Sequence, residues 1–178
     1  MTEADTMLSG RGGRAALSLG GNLGDVPATF AWALRRLELG GLEGARLSPL
    51  YRTAPVDCAP GAPDFVNAAV AGLWPGDVFG LHRLCKELER EAGRPSERGR
   101  NSDRTLDIDL ILFGLSVIDA EGLRVPHPRA AGRLFVLVPL ADIAADWPVP
   151  GAGRTVGELL GAFAGSDELR QLLAGRLG

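Results

Sequence analysis

The strongest constraint on the fold of this chain is the order in which its apolar periodicity changes. Residues 15–19, Ala-Ala-Leu-Ser-Leu, form an apolar run of strand length. After the turn Gly20-Gly21-Asn22-Leu23-Gly24 comes Asp25, whose carboxylate can cap a helix. Phe30, Ala33, Leu34 and Leu37 then recur at i, i+3, i+4 and i+7, which places them on one helical face, and Gly40-Gly41 closes the segment. Residues 46–53 read as a second strand and 65–74 as a third. Between them Pro55, Pro60, Gly61 and Pro63 disfavour both ladder and helix, so 54–63 is expected as a long loop. Asp77 opens a second helix with Val78, Leu81, Cys85 and Leu88 on one side, ending at Gly93. A basic loop leads into a strand over 105–113. The sequence thus predicts an α+β protein with a ferredoxin-like β-α-β-β-α-β core, two helices covering one face of a mostly antiparallel sheet. Residues 116–118 and 122–125 are expected as extra edge strands, and 135–143 and 156–163 as short C-terminal helices. Residues 1–14, Gly-rich and without period, are expected as a frayed tail, and 15–178 as a single domain.

Composition narrows the function. With 178 residues the chain fits one domain with a core large enough to hold a rigid site. Gly, Pro or Arg interrupts every apolar window before it reaches the roughly 20 residues of a membrane span. MTEADTMLSG has no basic n-region, so a cytoplasmic protein with no membrane partner is expected. Cys58 and Cys85 have no metal or redox spacing and read as reduced thiols. A net charge of −3 argues against broad nucleic-acid binding. The bases are nonetheless concentrated: Arg83, Lys86, Arg90, Arg94, Arg98, Arg100 and Arg104 lie within one stretch, as suits a small anionic ligand. Gly10-Arg11-Gly12-Gly13-Arg14-Ala15 matches a dinucleotide fingerprint but precedes the first strand instead of following one. The turn at 20–24 lacks the Gly-Lys-Ser/Thr ending of a P-loop, and Lys86, the only lysine, lies inside the second helix.

Three constellations remain. Asp107 and Asp109 flank Ile108 in a strand, so both carboxylates project from one face, roughly 6.5 Å apart. Unless the face is simply solvated, two such acids call for a positive guest, and Mg²⁺ suits them because it takes one or two carboxylates alongside phosphate oxygens. Arg94, Arg98, Arg100 and Arg104 immediately upstream offer paired donors for those phosphates, with surface salt bridges as the plain alternative. His82 reads as structural. His127, between Pro126 and Pro128 with Arg129 and Arg133 nearby, is better placed to meet an anion. Phe65 and Asn67 share a strand face, where an aromatic plate beside an amide could bind a flat heterocycle.

Five ordered blocks carry a resemblance: LSLGGNLGD (17–25), SPLYRTAPV (48–56), PDFVNAAV (63–70), RTLDIDLILFG (104–114) and VPHPRAAGRLFVLVPL (125–140). Together they resemble the 6-hydroxymethyl-7,8-dihydropterin pyrophosphokinases of folate biosynthesis. The resemblance implies transfer of pyrophosphate from ATP to a pterin alcohol, with AMP released and two Mg²⁺ ions at Asp107 and Asp109. Thr53, Pro55, Phe65, Asn67 and Phe135 match the pterin pocket, with the ring between Phe65 and Phe135. Glu89, Arg100, Arg104, His127 and Arg133 match ATP contacts, and Arg94 and Arg104 match arginines of the catalytic step. A monomer is expected. The basic loop departs from the family: Arg100-Asn101-Ser102-Asp103-Arg104 stands where many members read R-W-G-P-R, and Ser96 where some carry arginine. Two rival readings are a hydrolase using Asp107 and Asp109 as acid and base, and a non-catalytic module binding an anion at the basic loop.

Overall fold

The computed structural model describes residues 11–54, 63–93 and 103–177. Its centre is an antiparallel sheet built from β1 (Arg11–Gly21), β2 (Glu43–Leu47), β3 (Tyr51–Thr53), β4 (Phe65–Asp77) and β5 (Asp107–Phe113). The order is β2-β4-β1-β5, with β3 also paired to β4. Helices α1 (Val26–Leu39) and α2 (Val78–Glu91) complete the expected β-α-β-β-α-β core.

Both helices start where the sequence places a cap. Asp25 accepts the Ala28 N–H at 3.0 Å and Asp77 accepts the Gly80 N–H at 2.6 Å, each satisfying an otherwise orphaned donor of the first turn. Phe30, Ala33, Leu37, Val78, Leu81, Cys85 and Leu88 are buried against Leu17, Leu19, Ala68, Val70 and Ile108 on one face of the sheet. The opposite face carries α3 (Leu134–Ala144) and α4 (Val156–Gly161), which pack on Ala16, Ala69, Ala71, Ile111 and Leu112. The small alanines let these helices approach closely. The sheet is therefore covered on both faces, α1 and α2 on one and α3 and α4 on the other.

Several expectations need correction. Residues 11–14, expected in the tail, are strand, because β4 runs on through Pro75 and Gly76 and supplies Asp77 and Trp74 as partners for Arg11 and Gly13. The single strand expected over 46–53 is divided into β2 and β3, separated by Ser48, Pro49 and Leu50. The two segments expected as edge strands instead pair with each other: β6 (Ile118–Ala120) and β7 (Leu123–Val125) form a separate hairpin. A second small hairpin, β8 (Pro148–Val149) with β9 (Arg154–Thr155), and the helix α5 (Asp167–Ala174) were not expected. After α5 the chain returns to the sheet: Gly175 O accepts from Arg52 N and Leu177 N donates to Leu50 O, both at 2.8 Å.

Candidate functional site at the end of the α3 face

Strand register assembles the site. Asn67 on β4 pairs with Gly20 on β1, and Gly20 pairs on its other side with Asp107 on β5. Tyr51 pairs with Asn67, Thr53 with Phe65, and Ser18 stands between Ala69 and Asp109. Paired residues of adjacent strands point to the same face, so Thr53, Phe65, Asn67, Asp107 and Asp109 share the face that carries α3. Gly20 lies between the amide half and the acidic half and contributes no side chain to separate them. Asn67 is buried, and its Nδ2 donates to Thr53 Oγ1 at 2.8 Å, which fixes the direction of the amide.

Arg104 joins the two halves. Its Nη1 lies 2.5 Å from Asp107 Oδ2, and its guanidinium stands 6.0 Å from the Phe65 ring centroid. Phe135 is in the first turn of α3, with the Arg133 guanidinium 5.3 Å from its ring. A cation over an aromatic face is attracted by the ring quadrupole and orders both groups.

β5 is the edge of its sheet, and side chains from α2 take the place of a neighbouring strand. Glu89, 3% exposed, accepts the Ile108 N–H at 2.7 Å through Oε1. The same oxygen accepts from Lys86 Nζ at 2.8 Å, while Lys86 also donates to Ile108 O at 3.3 Å. Both ladder groups of the residue between the two aspartates are thereby satisfied.

Beside this edge lies a cavity of about 470 Å³ lined by His82 and Lys86 from α2, Asp109 from β5, Arg124 from β7, and His127. His127 is anchored by its backbone N–H, which donates to Ile111 O at 3.0 Å, and its Nδ1 accepts from Arg129 N at 3.3 Å. Burial pulls the His127 imidazole below the ordinary histidine value; Asp109 opposes this, Arg133 and Arg129 reinforce it, and Asp107 opposes it. The neutral ring accepts at Nδ1 and therefore carries its proton on Nε2. His82 is lowered by burial and by Lys86, against Asp109.

Asp107, Asp109, Arg104, Phe65, Asn67 and Thr53 thus lie together on one end of the sheet, with His127 lining the cavity and Phe135 beside Arg133. Pro55, Arg94 and Arg100 lie outside the described residues. His82, expected as structural, and Lys86, counted in the sequence only among the bases suited to an anion, also line this cavity. Their spacing to Glu89, i, i+4 and i+7 on one helix, was the available signal.

Residues 16–145 match the family model for 7,8-dihydro-6-hydroxymethylpterin-pyrophosphokinase. The chain belongs to that family. Among its relatives are the 2-amino-4-hydroxy-6-hydroxymethyldihydropteridine pyrophosphokinases of Synechocystis sp. (36% identical, 82% of this chain and 74% of the relative) and Pseudomonas aeruginosa (38%, 88% and 96%). The corresponding protein of Methylorubrum extorquens is 39% identical over 83% of this chain and 91% of its own. Among solved structures, the Plasmodium falciparum HPPK-DHPS with pteroate superposes with a TM-score of 0.67 at 13% identity, covering 91% of this chain. This chain spans 45% of that longer protein. The likeness supports the ferredoxin-like fold read from the strand order.

Proposed function

We propose that this chain transfers the pyrophosphoryl group of ATP to the hydroxymethyl oxygen of 6-hydroxymethyl-7,8-dihydropterin, releasing AMP, within folate biosynthesis. The observation that carries this reading is the row Asn67–Gly20–Asp107, which brings a heterocycle-binding amide and a phosphate-side carboxylate onto one face with no side chain between them. The family membership supports it, since the relatives are named for that transfer.

In this reaction the pterin hydroxyl oxygen forms a bond to the β-phosphorus, the bond from that phosphorus to the α–β bridging oxygen breaks, and the hydroxyl proton departs. The fixed Asn67 amide reads the edge of the pterin, and Phe65 and Phe135 hold its faces. Thr53 keeps the amide oriented. Arg104 sits where the two substrates meet and offsets charge that develops on the transferred group. Neutral His127 donates from Nε2 to a phosphate oxygen, with Arg133 beside it. The cavity at the β5 edge receives the nucleoside, and Glu89 serves by holding Ile108, and hence both aspartates, in line. Arg94, Arg100 and Pro55 take their proposed roles from the resemblance: the first two toward ATP and the catalytic step, the third toward the pterin.

The residues present fit a hard divalent cation. Asp107 and Asp109 offer oxygen donors on one strand face. That is the donor set of an ion that completes its shell with water and phosphate. We place two Mg²⁺ ions on these carboxylates, where they would neutralise the triphosphate and ease loss of the hydroxyl proton. The protein is proposed to act as a cytoplasmic monomer. No helix of the described residues is long and apolar enough to cross a membrane.

The deciding experiment is Asp109→Ala assayed for AMP formation from ATP and the pterin alcohol. Turnover is expected to fall at least about a hundredfold, the scale for losing a principal electrostatic contact, with circular dichroism unchanged. AMP formation near the wild-type rate would remove the assignment.

A further inference from the structure

The turn Gly20-Gly21-Asn22-Leu23-Gly24 lies where a phosphate-binding loop would sit, yet its sequence is wrong for one. The structure gives it different work. Asn22 is buried, and its side chain and backbone converge on the residues that lead into β5. Its Oδ1 accepts the Arg104 N–H at 2.8 Å, and its Nδ2 donates to Asp103 Oδ1 at 2.7 Å. Its own N–H and that of Leu23 donate to Arg104 O at 2.9 and 3.2 Å. Gly21 is needed for the approach, because a Cβ there would stand 2.6 Å from Thr105 O. Both main-chain polar groups of Arg104 are therefore held by one turn of β1, as a strand partner would hold them. Asn22 Nδ2 also faces Pro63 O, at 3.5 Å, two residues before Phe65.

We infer that Asn22 is a positioning residue for the reaction: it fixes the Arg104 backbone so that the guanidinium stands between Asp107 and Phe65, with Asp103 locking the Asn22 amide. This rests on the role of Arg104 given above. The reach of a guanidinium is long, and only a fixed Cα allows one side chain to meet Asp107 at 2.5 Å while covering the Phe65 ring. The Asp103 carboxylate accepts the Asn22 amide proton at 2.7 Å, which turns the amide so that its oxygen faces the Arg104 N–H.

The test is a double-mutant cycle on turnover: wild type, Asn22→Ala, Arg104→Ala and the double variant, with pterin affinity measured by calorimetry. Asn22→Ala is expected to lower kcat about tenfold or more, since small misplacements of a catalytic group cost that much, with pterin affinity within about twofold. If Asn22 acts through Arg104, adding Asn22→Ala to Arg104→Ala changes kcat by less than about twofold. A loss that multiplies fully in the double variant, or an Asn22→Ala protein with wild-type kcat, overturns the inference. Wild-type turnover in Arg104→Ala alone would instead strike the role assigned to Arg104, and the inference with it. Should Asn22→Ala fail to fold, Asn22→Asp with Asp103→Asn reverses donor and acceptor in the 2.7 Å contact while keeping the acceptor for Arg104 N. Asn22→Asp alone is expected to lose turnover and the pair to recover most of it; no recovery overturns the lock.

Discussion

Replacing Glu89 by alanine tests how the acidic strand is held. The substitution removes the acceptor of the Ile108 N–H, a bond of 2.7 Å in a buried setting, and β5 has no strand on that side to replace it. Leaving a buried N–H unpaired costs about 1–3 kcal/mol. The bond to Lys86 adds less, about 0–1 kcal/mol, because the Lys86 side chain is 40% exposed and its charge is screened by water. The expected loss is about 1–4 kcal/mol, which lowers Tm by about 2–16 °C in a domain of this size. Glu89→Gln keeps a carbonyl acceptor for Ile108 and should lose only about 1 kcal/mol. Urea denaturation with an unchanged m-value gives the difference, and steady-state kinetics give the KM for ATP. If both variants raise that KM equally and neither moves the urea midpoint, Glu89 is a nucleotide contact and its role as an anchor of β5 is wrong.

Three further outcomes follow from the same coordinates. A side chain at Gly175 would overlap the Arg52 carbonyl oxygen, so Gly175→Ala should detach residues 175–177 from β3, cost about 1–3 kcal/mol and raise the KM for the pterin more than that for ATP. An equal change in both would show that the segment does not support Thr53. His82 and His127 are both held below the usual histidine value, so the unfolded chain takes up their protons first as pH falls. Stability is therefore complete above the unfolded value and declines as pH drops from about 6.5 towards the folded values; urea midpoints between pH 8 and pH 5.5 should be flat and then fall, and a rise on acidification contradicts the burial of these rings. Cys85 is fully buried and its thiol is pushed up to about 12 by burial. Peptide mapping after a thiol reagent at pH 8 should find Cys85 unmodified unless urea is present; modification of the native protein would contradict that burial.

The parts legible in the sequence are those fixed by local rules. The caps at Asp25 and Asp77, the apolar stripes of both core helices and the shared face of Asp107 and Asp109 depend on spacing alone, and the structure keeps each. What was not legible depends on partners remote in sequence. Gly-rich residues 11–14 carry no period of their own and become strand only because β4 is long enough to pair with them. The segment Ile118–Ala120 has strand character but nothing in its composition that selects β7 over the main sheet. Asn22 reads in the sequence as part of a turn because its three bonds to residues 103 and 104 span some eighty positions. Lys86 reads in the sequence as one base of a charged stretch, and only the packing of α2 against β5 brings it to Ile108 and the cavity.

An edge strand normally needs protection, since its unpaired N–H and C=O groups invite another chain. Here β5 is protected at Ile108 by two side chains of α2, where another sheet would use a strand, and this choice has a consequence for chemistry. A covering strand would occupy the space beside Asp109. Side-chain protection closes the backbone bonds yet leaves open the cavity lined by His82, Lys86, Arg124 and His127. On the opposite side of β5, Gly20 thins β1 at the one register position shared by Asn67 and Asp107. The acidic strand is thus accessible from two directions, from the edge and across the glycine, as the proposed nucleotide and heterocycle require. An in-line transfer between two bound substrates needs that access, and a fully paired central strand with a side chain at position 20 would deny it.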